Sequence, residues 1–364
     1  MKLVFLGLSL TSSWGNGHAT TYRGLCRALS RRGHRVLFYE WDAPWYSGAH
    51  RDLAPEACDY ADIRLFREWG SARDELRREL VDADAVLLGS YFRPGVEAAE
   101  FLAQEFDGVR LYYDIDTPVT VRAYEEEGSA EYLRADQVPY FDVYFSFTGG
   151  PVLAELERRY GSPRAVALYC AVDPDQHRPA ERRAEYTCAL GYMGTYATDR
   201  QPGVERFLCE PARRRPDLEF IVAGPQYPLD LEWPSNVRLF DHLPPADHAA
   251  FYGSNRLTLN LTRAEMRRWG WSPSVRIFEA AACGAAIVSD AWEGLDRFLE
   301  PGSEVLIASS TEDVIDALEL TDREVREIGA AARERVLSRH SNDARAAQFE
   351  AEVERARGRT PAAG

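Results

Sequence analysis

Residues 272–290, SPSVRIFEAAACGAAIVSD, hold the densest set of groups able to do chemistry. The pattern predicts a helix over 274–283 that opens on Ser-Pro-Ser, ends at Gly284 and runs into a buried strand over 285–289. The free N–H groups and positive dipole end of such a helix suit an anion such as phosphate. Ser274 sits at that end, and Arg276 adds a fork that fits phosphate oxygens. Glu279, one turn on, is an acceptor for a pair of sugar hydroxyls. Together they sketch a pocket for a nucleoside diphosphate, although an ordinary capped helix gives the same pattern.

Three other groups join it. In TSSWGNGHATTYRGLCRAL, Gly15 and Gly17 allow a tight turn that puts His18 at the start of a helix, where an imidazole is a natural base near neutral pH. A capping or solvent-facing histidine is the alternative. In YYDIDTPVT a buried strand ends at Asp114 and Asp116, which alternation places on one face of the strand or at its lip. Asp116 is then a partner able to orient His18, unless the pair only caps the next helix. In GYMGTYATDRQPG, Gly194 permits close approach of a phosphate, Thr195 donates and Arg200 clamps; a plain strand-to-helix loop is the alternative. Arg263, Arg267, Arg268 and Arg276 gather just before and within the opening helix. For Arg267 and Arg268 the favoured reading is a solvated helix face.

The elements that must position these groups alternate. Strands are expected over 2–8, 35–40, 85–88, 111–114 and 143–146, with helices over 19–32 and about 71–82. Residues 172–186, polar and carrying two prolines, read as a linker. The pattern resumes with strands over 187–193, 219–223, 237–240, 256–260, 286–289 and 305–307. Helices over 203–214, 245–253, 274–283, 311–319, 322–338 and 342–355 accompany them, and the tail GRTPAAG reads as loose. The division expected is 1–171, the linker, 187–340, and a last helix over 341–358. Two α/β units with a cleft between them bind ligands at the carboxyl ends of their strands.

Composition narrows the chemistry. The chain has 364 residues, 45% of them apolar, and a net charge of −15, so neither nucleic acid nor an anionic membrane is expected as a partner. Lys2 is its one lysine, which excludes a phosphate-loop lysine or a Schiff base. The six cysteines form no C-x-x-C pair and suit a reducing cytoplasm. No run approaches the length of a membrane span, and no G-x-G-x-x-G follows the first strand. Trp14, Trp41, Trp45, Tyr46 and Tyr91 hint at a stacking surface for an acceptor.

The motifs GNGHATTYRGLCRALSRRGHRVLFYE, YYDIDTPVT, LYCAVDPDQHRP, GYMGTYATDRQP and SPSVRIFEAAACGAAIVSDAWEGLDRFLEPGSEVLI resemble those of GT-B glycosyltransferases, and within them the CgeB-like spore-maturation group. The likeness covers about residues 1–350. It implies two Rossmann-like parallel-sheet domains facing a cleft, the second holding a nucleotide sugar (UDP-sugar favoured, GDP- or dTDP-sugar next) and the first an acceptor. The final helix would cross back to the first domain. By resemblance, Glu279 holds the ribose, Ser274 and Arg276 lie at the diphosphate, Gly194 and Thr195 form the donor loop, and the Leu243 backbone meets the base. Many retaining members carry two glutamates separated by seven residues; here the first position is Trp271. Gly17-His18 before a helix resembles the base of inverting members, with Asp116 as orienter and no metal required. An epimerase or hydrolase of the same build, and a scaffold that has lost turnover, are the other readings.

Overall fold

The computed structural model describes residues 1–14, 17–44 and 46–358, with the backbone alone for Tyr46 and Ala49. Gly15, Trp45, the Tyr46 side chain and residues 359–364 of the tail lie outside what is described. Two compact units form, Met1–Tyr169 with Asn342–Gly364, and Cys170–Ser341.

In the first unit the chain runs β1 (Lys2–Gly7), α1 (Gly17–Arg31), β2 (Arg35–Trp41), β3 (Asp62–Phe66), α2 (Trp69–Leu80), β4 (Ala85–Gly89), α3 (Gly95–Glu105), β5 (Val109–Asp114) and α4 (Thr117–Glu127). A two-residue ladder follows, β6 (Ser129–Ala130) with β7 (Leu133–Arg134), then β8 (Val143–Ser146), α5 (Pro151–Arg158) and β9 (Ala165–Ala167). The seven-stranded sheet has the order β3-β2-β1-β4-β5-β8-β9 and is parallel throughout. Its central strands, such as VFLG and AVLLG, are apolar at every position because helices cover both faces. β3 and α3 escape a reading by apolar runs: DIRLF alternates, as an edge strand does.

The second unit runs β10 (Cys188–Met193), α6 (Gln201–Val204), α7 (Glu210–Arg214), β11 (Phe220–Ala223), β12 (Val237–Phe240), α8 (Pro245–Ser254), β13 (Asn255–Asn260), α9 (Ala264–Trp269), α10 (Val275–Ala282), β14 (Ile287–Asp290), β15 (Leu306–Ala308), α11 (Thr311–Glu319) and α12 (Asp322–Arg339). Its six strands, also all parallel, take the order β12-β11-β10-β13-β14-β15. The single helix expected over 203–214 is instead α6 and α7 joined by a π-helical turn, Glu205–Cys209. Pro211 causes this. It has no N–H to donate, and its ring would clash with a carbonyl one turn back, so the extra residue of a π turn relieves both.

The last helix, α13 (Asn342–Arg357), belongs to the first unit. Phe349 stacks between Phe5 and Phe145, with ring centroids 5.9 and 5.4 Å away. Asn342 lies against Gly24 of α1 so closely that any Cβ there would collide with it. Among the described residues no helix is long and apolar enough to cross a membrane.

Each sheet splits its connections at one point. The chain leaves β1 toward β2 on one side and later returns to β4 on the other; β10 and β13 are related in the same way. The carboxyl ends of these strand pairs are therefore where loops diverge and leave a crevice. In the first unit a buried carboxylate shapes that loop. Glu40, at the end of β2, accepts from the Leu10 and Thr11 N–H groups at 2.6 and 2.9 Å and from the hydroxyls of Ser9 and Thr11. Burial pushes its pKa up while those four donors pull it down, the net being upward. An acid here in a dinucleotide fold is free to take a ribose; this one is consumed by the protein's own donors. Glu40→Ala strands four buried donors, so we expect a loss of about 3 kcal/mol in urea unfolding and roughly half of that for Glu40→Gln. Equal unfolding midpoints for wild type and Glu40→Ala would show the clamp to be dispensable.

Candidate functional site

At the β10–β13 end of the second sheet, Arg276 is 92% buried in the first turn of α10. Its Nε donates to the Met193 carbonyl and its Nη1 to Asn260 Oδ1 at 3.1 Å, with the guanidinium 5.1 Å from the Tyr192 ring centroid. Ser274, at the N-cap, turns its hydroxyl not to its own helix but to the same Asn260 Oδ1, at 2.7 Å. Asn260, the last residue of β13, thus ties the helix start to the strand end. Gly194 leaves room for both side chains: an added Cβ would lie 2.6 Å from Tyr192 Oη and 2.9 Å from Arg276 Nη2, so one of them would have to shift. Gly224, with φ +154°, abuts the Gly194 carbonyl from the next loop.

Two more guanidiniums share this end. Arg200 donates from Nη2 to the Thr195 carbonyl at 2.6 Å, while its Nε is buried with no partner among the described residues. Burial first, then Arg276 and Arg263, lower its pKa against the opposing influence of Tyr192 and Tyr227. Arg263 lies 3.6 Å from Asp199, which also accepts the Ala264 N–H at 3.0 Å. Arg267 is not simply solvated: its Nη1 lies 3.5 Å from Asp290. Asp290, buried at the end of β14, accepts from the Thr262 N–H and hydroxyl and so holds the loop after β13.

Glu279 is 4% exposed. Its Oε1 lies 3.5 Å from His177 Nε2, and its Oε2 3.4 Å from Tyr252 Oη and 4.0 Å from His248 Nδ1. Burial alone would raise its pKa, but His177, His248 and Arg276 outweigh that and hold it at about 2. His177 is shifted the other way from a buried base: desolvation lowers it, yet Glu279 and Asp173 leave it above its usual 6.5. Burial keeps His248 below 6.5, and its Nε2 lies 3.3 Å from the carbonyl of Leu243, itself buried.

In the first unit, at the β1–β4 end, His18 stands in the first turn of α1, with Nε2 3.7 Å from Asp116 Oδ2 and side-chain exposures of 12% and 23%. That is too long for a hydrogen bond and within ion-pair range. Tyr91, held at φ +63°, sets its ring edge-on to His18 at 5.1 Å. The two aspartates do not share a face. Asp114 is fully buried and accepts from Tyr144 Oη at 2.6 Å, from Thr120 Oγ1 at 3.0 Å and from the Asp116 N–H at 3.1 Å. The strand ends at Asp114, so alternation stops there and Asp116 turns out as the N-cap residue of α4. Burial pushes Asp114 up to about 6 against the pull of those donors, and its fixed carboxyl sets the backbone that aims Asp116 at His18.

Residues 200–351 match a family model described as glycosyl transferase-like. Over that stretch, a little under half of the chain, the sequence is similar to glycosyltransferases. No curated protein matches the sequence. Among solved structures, sucrose-phosphate synthase from Thermosynechococcus elongatus is 15% identical with a TM-score of 0.67, over 98% of this chain and 99% of that one. Anabaena Alr3699/HepE, in complex with UDP and glucose, is 12% identical at 0.66, over 98% and 100%. An alpha-glucosyltransferase (AGT) in complex with UDP is 11% identical at 0.69, over 97% and 99%. The fold is thus GT-B, and on its domain the protein is an enzyme of the glycosyltransferase class.

That domain takes in Arg200, Leu243, Arg263, Ser274, Arg276 and Glu279; Gly194, Thr195, His18 and Asp116 precede it. Gly194, Thr195, Arg200, Arg263, Ser274 and Arg276 meet at one end of one sheet, and Glu279 adjoins Arg276. Sequence reasoning missed His177, His248, Asn260 and Asp290. The segment read as a linker holds His177 in a buried turn, its N–H donating to the Asp173 carbonyl at 2.8 Å.

The pair sets a pH window. Glu279 sits below its usual 4.5, so its stabilisation is present above pH 4.5 and is lost as pH falls through about 2. His177 is raised above 6.5, so its share is full below pH 6.5 and fades as pH rises through the raised value. The contribution is thus greatest between pH 4.5 and 6.5. His177→Gln lowers Tm at pH 6, by about 2–4 °C for 1 kcal/mol, and the gap from wild type narrows by pH 9. A gap that widens toward pH 9 in calorimetry reverses the assignment.

Proposed function

We propose that this enzyme moves a sugar from a nucleoside-diphosphate sugar to a hydroxyl or amine acceptor, with inversion at the anomeric carbon. UDP-sugar is the favoured donor, ahead of GDP- and dTDP-sugars. The observation that carries the reading is the trio Arg200, Arg263 and Arg276 at the β10–β13 end, in a chain of net charge −15. One nitrogen of Arg200 is buried without an acceptor among the described residues, and a phosphate oxygen suits such a donor. The two structural neighbours named with UDP favour the same donor.

In this reading the diphosphate lies against Gly194, Thr195, Ser274 and the three arginines. Glu279, already ionised, accepts from the ribose hydroxyls, and the Leu243 backbone meets the base. His18 takes the proton of the acceptor while its oxygen or nitrogen bonds to the anomeric carbon. The bond from that carbon to the diphosphate breaks, and its electron pair leaves on the phosphate. Asp116 stabilises the imidazolium, and the guanidiniums with the α10 dipole balance the leaving charge without calling on a metal. Trp271, where a carboxylate serves many retaining relatives, favours inversion. We further assign the chain to the CgeB-like group, on the motifs quoted, and to the cytoplasm, where its six free cysteines stay reduced.

A panel of UDP, GDP, dTDP and NADH tests the donor. UDP is expected to raise Tm most and NADH not at all; no stabilisation by any nucleoside diphosphate sinks the reading. Arg200→Ala weakens UDP by about tenfold and leaves uridine unchanged. His18→Ala keeps UDP affinity and lowers turnover by about 10²- to 10⁴-fold. Turnover that survives His18→Ala removes the histidine from the role of base.

A further inference from the structure

The loop after β4 carries an arginine that the reaction above leaves unused. Arg93 is exposed, and its guanidinium lies over the Trp41 ring, 3.9 Å from the centroid. Among the described residues it forms no ion pair. The face of an indole attracts and steadies a guanidinium, while the N–H fork stays at the edge of the pair, free to donate. Such a fork matches the oxygens of a carboxylate or a phosphate.

Two more guanidiniums are tied to the same place. Trp41 is the last residue of β2, and its Nε1 donates to the Arg67 carbonyl at 3.4 Å. Asp42, next in the chain, accepts from Arg51 Nη2 at 2.7 Å and from Arg67 Nε at 2.9 Å. Burial would raise the Asp42 pKa, but the two arginines outweigh it and hold it below its usual 3.8. One carboxylate thus serves two guanidiniums, and the third has none. Of the other acids in these loops, Glu40 is taken by the donors described above and Asp52 pairs with Arg23. Exposed Glu68 pairs with none of the three arginines among the described residues.

The place fits an acceptor. β1 lies between β2 and β4 and is parallel to both, so the three carboxyl ends face one way and the outer two are about 10 Å apart. Arg93 comes four residues after the end of β4, so its contact with Trp41 carries the loop across the end of β1. Tyr91 of the same loop meets His18 at 5.1 Å, and the Cα atoms of Tyr91 and Arg93 are at most about 7 Å apart. The base and the spare guanidinium therefore flank one end of one sheet.

We propose that Arg93, on the Trp41 ring, recognises an anionic group of the acceptor, a phosphate or a carboxylate, and so selects negatively charged acceptors. This rests on the transfer proposed above, with His18 as its base, and adds the charge of the molecule that receives the sugar. Arg93 is a binding group and takes no part in proton transfer.

Calorimetric titration at fixed ionic strength tests it. Inorganic phosphate and acetate are added to enzyme saturated with UDP, so that neither competes for the phosphate seat of the donor. Wild type is expected to bind at least one of them, and the tighter of the two names the anionic group. For that anion, Arg93→Ala raises Kd at least about tenfold, and Arg93→Lys, which keeps the charge but not the fork, raises it about threefold. Arg78→Ala removes a charge from exposed α2 and is expected to change nothing. Arg93 is exposed, so its loss spares the fold, and unchanged UDP affinity and urea midpoint report that each variant is intact. Wild type that binds UDP but neither anion overturns the inference and leaves the function standing. Affinity that survives Arg93→Ala, or falls equally with Arg78→Ala, overturns it too. Wild type that binds no UDP overturns the proposed function and this inference with it.

Discussion

A buried guanidinium held by neutral acceptors organises the second unit. Among the described residues Arg276 has no carboxylate hydrogen bond; it is fixed by the Met193 carbonyl and by Asn260. A charge held this way still acts on its surroundings: it helps to keep the neighbouring Glu279 ionised. Much else follows from making room for it. A Cβ on Gly194 would crowd it, Gly224 lies against the Gly194 carbonyl with φ +154°, and Ser274 spends its hydroxyl on Asn260 rather than on its own helix. The start of α10 is therefore set by the end of β13, and its free N–H groups and Arg276 occupy one place.

Buried carboxylates do the corresponding work elsewhere. Glu40 gathers the loop after β1, and Asp290 the loop after β13. Asp114 fixes the backbone from which Asp116 reaches His18. Neutral donors satisfy each acid, joined at Asp290 by Arg267 at 3.5 Å, and burial raises its pKa. Glu279 is the exception. Surrounded by His177, His248, Tyr252 and Arg276 inside α10, it is pressed well below its usual value. The contrast separates acids that shape loops from an acid kept charged.

Much of this was legible in the chain. Apolar runs such as VLFYE and AVLLG announced parallel strands, and Ser-Pro-Ser with Gly284 bracketed α10 to within a residue. His18, Asp116, Arg200 and Arg276 stood out by type and spacing. The misses have physical causes. β3 is an edge strand with alternating residues, and the π turn before Pro211 answers a clash that periodicity does not register. The expectation of a shared face for Asp114 and Asp116 failed because the strand stops at the first of them.

The sequence by itself determined the elements, their parallel pairing into two α/β units, the absence of a usable lysine, and which arginines and histidine could act. These follow from local propensity and side-chain chemistry, which neighbours along the chain suffice to express. Only tertiary structure decided which charges are bare and which are consumed. Glu40 and Glu279 are both glutamates in apolar surroundings, yet one meets Leu10 and Thr11 from 29–30 residues away and the other meets His177 from 102 residues away. Partners so distant in sequence are brought together by strand order, and the same order decides that Arg200, Arg263 and Arg276 share one end of a sheet.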